Sequence, residues 1–154
     1  IVKIEKIKSI NSLTFNPELS LKKGVHTKLR PNPDDKKDIK KAIMTLNKLN
    51  QYSFSQGSIV REKKVLAIEK DDGTEKMLNK IKKTSGILKG VLVKFPKKKQ
   101  DLRIDLPTIG LKTITQCKKK GLKGIILKGR QNICLDKKKL INFANQHKMF
   151  VAAV

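Results

Sequence analysis

The sequence predicts an α/β fold, a layered domain with a mixed β-sheet and flanking helices, and three observations predict it. Short apolar runs of strand length alternate with segments whose apolar residues recur at helical spacing, as expected of strands and helices stacked in layers. Glycine, proline and small polar residues punctuate the boundaries. The 154 residues fit one domain, and a chain of that size buries roughly 70% of the surface it exposes when unfolded.

The elements follow in order. Residues 1–33 carry short apolar pieces broken by Asn16-Pro17, Gly24, Pro31 and Pro33, which read as a strand or two joined by turns. From residue 34 to about 50, Ile39, Ala42, Ile43, Leu46 and Leu49 form one helical stripe, with Asp34 or Asp35 able to cap its start. Residues 58–60 and 65–69 read as a strand pair turned at Glu62-Lys63-Lys64, after which Gly73-Thr74 opens a helix carrying Met77, Leu78 and Ile81. Residues 90–95 form a further strand that leads through a lysine-rich turn into residues 100–107. A helix follows Gly110, then strands at 124–127 and 132–135. Asp136 caps a last helix with the stripe Leu140, Ile141 and Ala144, and residues 150–154 close as a buried strand.

The formal net charge is +24 with a pI near 10.2, a balance that would suit nucleic acid or an anionic membrane surface. Of 37 basic residues, however, only Arg30, Arg61, Arg103 and Arg130 are arginine, the residue that base reading and bidentate phosphate recognition favour. The lysines are spread along the whole chain, and with 4% aromatic residues there is little from which to build a stacking platform for single strands. Cys117 and Cys134 fit neither a disulfide framework nor a CxxC metal site and read as reduced core residues. Two histidines, His26 and His147, are too few for a histidine-rich zinc site.

Candidate chemistry centres on residues 100–110. After Gln100, residues 101–106 alternate strictly, with Asp101, Arg103 and Asp105 on one side and Leu102, Ile104 and Leu106 on the other. That pattern predicts a half-buried strand presenting two carboxylates and a guanidinium, with Asp101 and Asp105 about 13 Å apart, too far to share one ion. Leu106 precedes a proline and Pro107 cannot continue a sheet interior, so Asp105 is expected at the strand's end, open to a ligand. The competing reading is a surface ladder of ion pairs. Glu69, Asp71, Asp72 and Glu75 place four carboxylates within seven residues; they would suit a hard divalent cation, or equally a turn followed by helix capping. The lysine-rich turn at 97–99 could attract phosphate or simply be solvated.

Taken together, Gln56-Gly57, the run from Val65 to Glu69 with Asp72-Gly73-Thr74-Glu75, the run from Gly90 to Lys94, residues 100–110, residues 121–125 and the helix after Asp136 resemble one family. It is the UDP-2,3-diacylglucosamine pyrophosphatase of lipid A biosynthesis, in its alphaproteobacterial form, and the resemblance runs from about residue 17 to 151. Members carry a Rossmann-like amino-terminal domain followed by this one. The resemblance therefore implies that residues 1–154 are a single catalytic, carboxy-terminal domain, with 1–15 the tail of the missing domain or a linker. It implies hydrolysis of UDP-2,3-diacylglucosamine to UMP and 2,3-diacylglucosamine 1-phosphate with magnesium or manganese. On that reading Asp105, Asp101 and Arg103 are catalytic, Gln56, Thr74, Lys94 and Gln100 bind substrate, and Asp105, Glu69 and Glu75 hold the metal. The chain departs from the family where Asp72-Gly73-Thr74-Glu75 replaces the usual Glu-Gly-Thr-Asp and where Ser53 and Ser55 replace an aspartate and a glycine. A cytoplasmic enzyme is expected, drawn peripherally to the inner leaflet, with homodimer formation open and no nucleic acid as partner. The alternatives are a basic RNA- or ribosome-associated module without catalysis, and a sugar-nucleotide binding domain that has lost activity.

Overall fold

The computed structural model describes residues 10–50 and 55–154. Its centre is a mixed sheet of six strands: β1 (Gly24–Val25), β2 (Gly57–Arg61), β3 (Lys64–Ile68), β4 (Val91–Lys94), β6 (Gly124–Leu127) and β8 (Phe150–Ala153). Their order across the sheet is β1-β8-β6-β4-β2-β3. The three central strands β4, β6 and β8 are parallel, and antiparallel neighbours close both sides. Two further strands, β5 (Thr108–Ile109) and β7 (Ile133–Cys134), pair separately as a short parallel ribbon. The helices are α1 (Ser12–Phe15), α2 (Pro33–Asn50), α3 (Gly73–Lys80), α4 (Leu111–Lys119) and α5 (Lys137–Gln146).

Strands β2, β4, β6 and β8 are buried along their whole length and read as nearly continuous apolar runs because both faces are covered, whereas the edge strand β3 leaves Val65 and Leu66 exposed. On one face α2 sets Ala42 and Leu46 against Val60, Val91, Val93, Ile126 and Phe150. On the other, α3, α4 and α5 bring Met77, Leu78, Ile114, Cys117, Leu140 and Ala144 onto Ile59, Leu92, Ile125 and Val151. The layers fit closely enough that a Cβ on Gly124 would stand 2.1 Å from the Phe150 ring. The α/β layered class is therefore as expected. Cys117 and Cys134 are free and buried, and burial pushes the Cys134 thiol up to about 11, so neither is a thiolate at neutral pH.

Local chemistry overrides the pattern in several places. Residues 10–25 hold α1, a 3-10 turn at Pro17–Leu19 and only the two residues of β1, because Asn11 caps α1 by accepting from the Leu13 N–H at 2.8 Å. The reading of residues 1–9 lies outside the described residues. Helix α2 is capped by Asn32 rather than by Asp34 or Asp35. The Asn32 amide oxygen accepts from the Asp35 N–H at 2.8 Å, and the Asp35 carboxylate accepts from the Asn32 N–H at 2.9 Å. Between β2 and β3 only Glu62 and Lys63 turn, both in the left-handed region, and the buried carboxylate of Asp38 accepts both their N–H groups, at 3.1 and 2.6 Å. Asp136 stands at the start of α5 but in left-handed conformation and without a capping hydrogen bond.

The largest departure is at residues 100–106, which form a turn and not a strand. The Asp101 carboxylate accepts from the Arg103 backbone N–H at 3.0 Å, and the Asp101 carbonyl accepts from the Asp105 N–H at 2.9 Å. Such local bonds from an aspartate side chain compete with a strand ladder and here they win. Ile104 is consequently 75% exposed, and Asp101 and Asp105 lie in one turn of chain instead of at opposite ends of a strand.

Candidate active site

Strand periodicity builds the site. Along β4, Val91 and Val93 face α2, and so does Phe95 just beyond its end, whereas Leu92 faces the other helices. Lys94 shares the side of Leu92, so its long side chain runs under the carboxyl end of the sheet and is buried. Glu69, the residue after β3, donates its N–H to the Gly57 carbonyl at 2.8 Å and turns its own buried carboxylate toward Lys94. Lys94 Nζ donates to Glu69 Oε1 at 3.0 Å and Oε2 at 3.3 Å. Thr74, in the first turn of α3, donates its hydroxyl to Glu69 Oε1 at 2.8 Å and accepts from Lys94 Nζ. Gly57 is required beneath this cluster, since a Cβ there would meet Glu69 Oε2 at 2.3 Å.

An ion pair with both side chains only 6% and 7% exposed gains little over apolar residues of the same size, because desolvation offsets the attraction. Its third member and its location point beyond stability. A cavity of about 240 Å³ opens directly on Glu69, lined also by Gln56, Lys70, Asp71, Gly73 and Lys97. It lies at the carboxyl ends of β3 and β4, where ligands of open α/β sheets bind. Lys70, Lys97 and the N-terminal end of α3 stand on its rim beside the Asp71 carboxylate. Gln100 supports that rim by accepting the Lys97 backbone N–H on its Oε1 at 2.8 Å, while its buried Nε2 has no partner among the described residues.

Four of the expected site residues, Gln56, Glu69, Thr74 and Lys94, thus come together, and Gln100 joins them through Lys97. Asp101 and Arg103 do not enter the cavity's lining. They bind each other on the exposed turn, with Arg103 Nε 2.9 Å from Asp101 Oδ1 and Nη2 2.7 Å from Oδ2. That guanidinium, bonded side chain to side chain, holds the Asp101 carboxyl down at about 2. Asp105 is exposed, and its carboxylate has no hydrogen bond or ion pair among the described residues. Glu75 faces α4, accepting from Lys112 Nζ at 2.7 Å and Gln116 Nε2 at 3.0 Å, contacts that lower its pKa. Sequence pattern does not single out Lys70; its position directly after a strand-end glutamate is the available signal.

Among the described residues no three of His, Cys, Asp and Glu gather around a common point that could hold an ion. Glu69 is engaged by Lys94 and Thr74, Glu75 by α4, and Asp105 stands alone on its turn. The expected set of Asp105, Glu69 and Glu75 does not fit one shared metal in this arrangement.

The match to known families decides the relationship. Residues 22–152 match the model of the LpxI C-terminal domain. The chain belongs to this family. Its UDP-2,3-diacylglucosamine pyrophosphatase LpxI from Caulobacter vibrioides is 33% identical over 144 residues, covering 89% of this chain and 51% of the relative. The chain thus spans about half the length of that relative. Within this LpxI-type domain, the Asp72 to Glu75 departure has a structural place: Asp72 pairs with Lys80 at 2.7 Å and Glu75 ties α3 to α4, so the lengthened acid reaches a neighbouring helix. Ser55, buried, bonds the Gly57 carbonyl at 3.0 Å and accepts its N–H at 3.2 Å, shaping the entry to β2. Ser53 lies outside the described residues. Among the described residues no helix is long and apolar enough to cross a membrane.

Proposed function

We propose that this domain carries out hydrolysis of the diphosphate of UDP-2,3-diacylglucosamine, releasing UMP and 2,3-diacylglucosamine 1-phosphate. The observation that carries the reading is the Glu69–Lys94–Thr74 cluster beneath a lysine-rimmed cavity at the carboxyl ends of β3 and β4, in a chain whose relative bears that activity in its name. Lys97 and Lys70 meet the diphosphate's charge. Lys94, fixed by Glu69 and Thr74, adds a cation that needs no rearrangement as charge develops. Gln56, Thr74 and Gln100 position phosphate and sugar oxygens by hydrogen bonds. Asp105 orients the attacking water, and Arg103, on the same turn, supports the phosphates. A magnesium or manganese ion, commonly held by one or two carboxylates together with substrate phosphates, would be held here by Asp105 and would neutralise charge on the diphosphate.

Water attacks the phosphorus attached to glucosamine; the new P–O bond forms there as the bond to the bridging oxygen breaks, and that oxygen leaves on UMP. Turnover by the natural-length protein in oxygen-18 water should place the label in the sugar 1-phosphate. Label in UMP would mean attack at the other phosphorus, and absence of hydrolysis would overturn the reading altogether.

The same reading includes a cytoplasmic location and peripheral, salt-sensitive contact with an anionic leaflet, where lysines contribute roughly 1 kcal/mol each. Sedimentation with vesicles at low salt should be greater for anionic than for neutral lipid. Equal sedimentation would remove the membrane from the proposal.

A further inference from the structure

A second recess lies at the same edge of the sheet but on the face covered by α2. It holds about 430 Å³ and its walls include Ile43, Phe95, Pro96, Lys98, Lys128 and Gln131. The volume is in the range of small-ligand sites. Strand alternation relates the two recesses: Lys94 turns under the Glu69 cavity and Phe95, the next residue, turns into this groove. The loop that follows repeats the division, with Lys97 lining the first recess and Lys98 the second. The two recesses therefore take neighbouring residues from the segment that follows β4, on opposite faces of the sheet. Ile43, Phe95, Pro96 and Val154 give the groove an apolar side, Asn47 and Gln131 add two amides, and its cations are Lys98 and Lys128, whose Nζ sits 5.5 Å from the centre of the Phe95 ring. An apolar side with ammonium groups beside it complements one end of an anionic amphiphile.

We infer that this groove receives an acyl chain of the sugar-nucleotide lipid whose diphosphate occupies the neighbouring cavity. The inference rests on the proposed function for the identity of that lipid. The chain passes over the rim at Pro96, lies on Ile43 and Phe95, and meets the Gln131 amide with its ester or amide carbonyl, while Lys98 and Lys128 face the headgroup. The groove therefore sets chain preference, separately from the residues that meet the diphosphate.

Two measurements test it on the natural-length protein. Gln131→Trp, in the loop after β6, narrows the groove from its mouth, and Ile43→Trp fills it from α2. Each should raise the ratio of KM for the long-chain diacyl substrate to KM for its diacetyl counterpart by roughly tenfold. An unchanged ratio in both variants would overturn the inference. Photolabelling with 2,3-diacylglucosamine 1-phosphate carrying a diazirine near one chain end needs no turnover, so it separates this idea from failure of the hydrolase reading. Label is expected on peptides containing Ile43, Phe95 or Gln131. Label confined to other parts of the protein, or no specific label, would overturn the assignment.

Discussion

The cluster under β3 and β4 and the turn at residues 101–105 carry the same kinds of side chain, an acid opposite a cation, yet they are held in opposite ways. Glu69 and Lys94 are buried, fixed by strand register, and bridged by a third polar group. Asp101 and Arg103 are 38% and 60% exposed at their side chains and, among the described residues, their side chains bind only within their own turn, beside an Asp105 carboxylate with no partner there. A buried pair cannot relax when one member is lost, so it acts as a fixed electrostatic element. An exposed pair is screened by water and holds its geometry weakly. Under the proposed function the two regions would divide the labour: the first would receive the phosphates on a preset surface, and the second would supply a carboxylate that is oriented only once substrate is bound.

The largest effect should follow from breaking the buried pair. Lys94→Met leaves Glu69 buried without its cation and should cost about 3–5 kcal/mol of stability, measured by denaturant unfolding. The double variant Glu69→Leu/Lys94→Met removes both charges and should regain most of that stability without regaining activity. A double variant as unstable as the single would mean that the pair's role is packing alone. Next in size is the exposed region's single effect on chemistry. Asp105→Asn should lower turnover by about 100-fold or more, roughly 2.7 kcal/mol of barrier, with the melting temperature unchanged because the carboxylate supports no contact in the described fold. Turnover within a factor of about ten of the parent would remove Asp105 from the mechanism, and the division of labour with it.

The same two regions explain how much was legible in the sequence. The layered fold was readable because its strands are continuous apolar runs and its helices carry wide stripes, and tertiary packing reinforces both signals. Glu69 stands out as one of four carboxylates within seven residues, and the resemblance to a family gives Gln56, Thr74 and Lys94 their expected roles. Their meeting depends on β2 pairing with β3 and β4, including Gly57 opposite Lys94, contacts that no local pattern displays. Residues 101–106 misled for the opposite reason. Alternation of charged and apolar residues there is a true strand signal, but Asp101 satisfies its own neighbours' N–H groups, and a two-residue bond forms more readily than a ladder needing a distant partner. The caps show the same rule. Asn32, one residue before Pro33, outcompetes the aspartates after it because its amide reaches the N–H three residues on.

The smallest expected effect lies in the pH dependence of the exposed pair. Arg103 holds the Asp101 carboxyl at about 2, below the ordinary carboxylate value, and Asp101 in turn raises the guanidinium's already high value. For a depressed carboxyl the favourable contact is fully present above the value it has in an unfolded chain and is lost as pH falls through its folded value. The window is therefore between the ordinary aspartate range, roughly 4, and about 2. Across neutral and mildly acidic pH the turn should not change. Carbon-detected NMR of the Asp101 carboxyl should give a midpoint near 2, and the Arg103 amide shift should move with it, since that N–H is also bonded to the carboxylate. Because both side chains are largely in water, global stability should hardly register the event. A midpoint at the ordinary aspartate value would mean that the pair is not formed in solution. Arg103 would then be as free as Asp105, and the turn would present a cation and a carboxylate with neither preset.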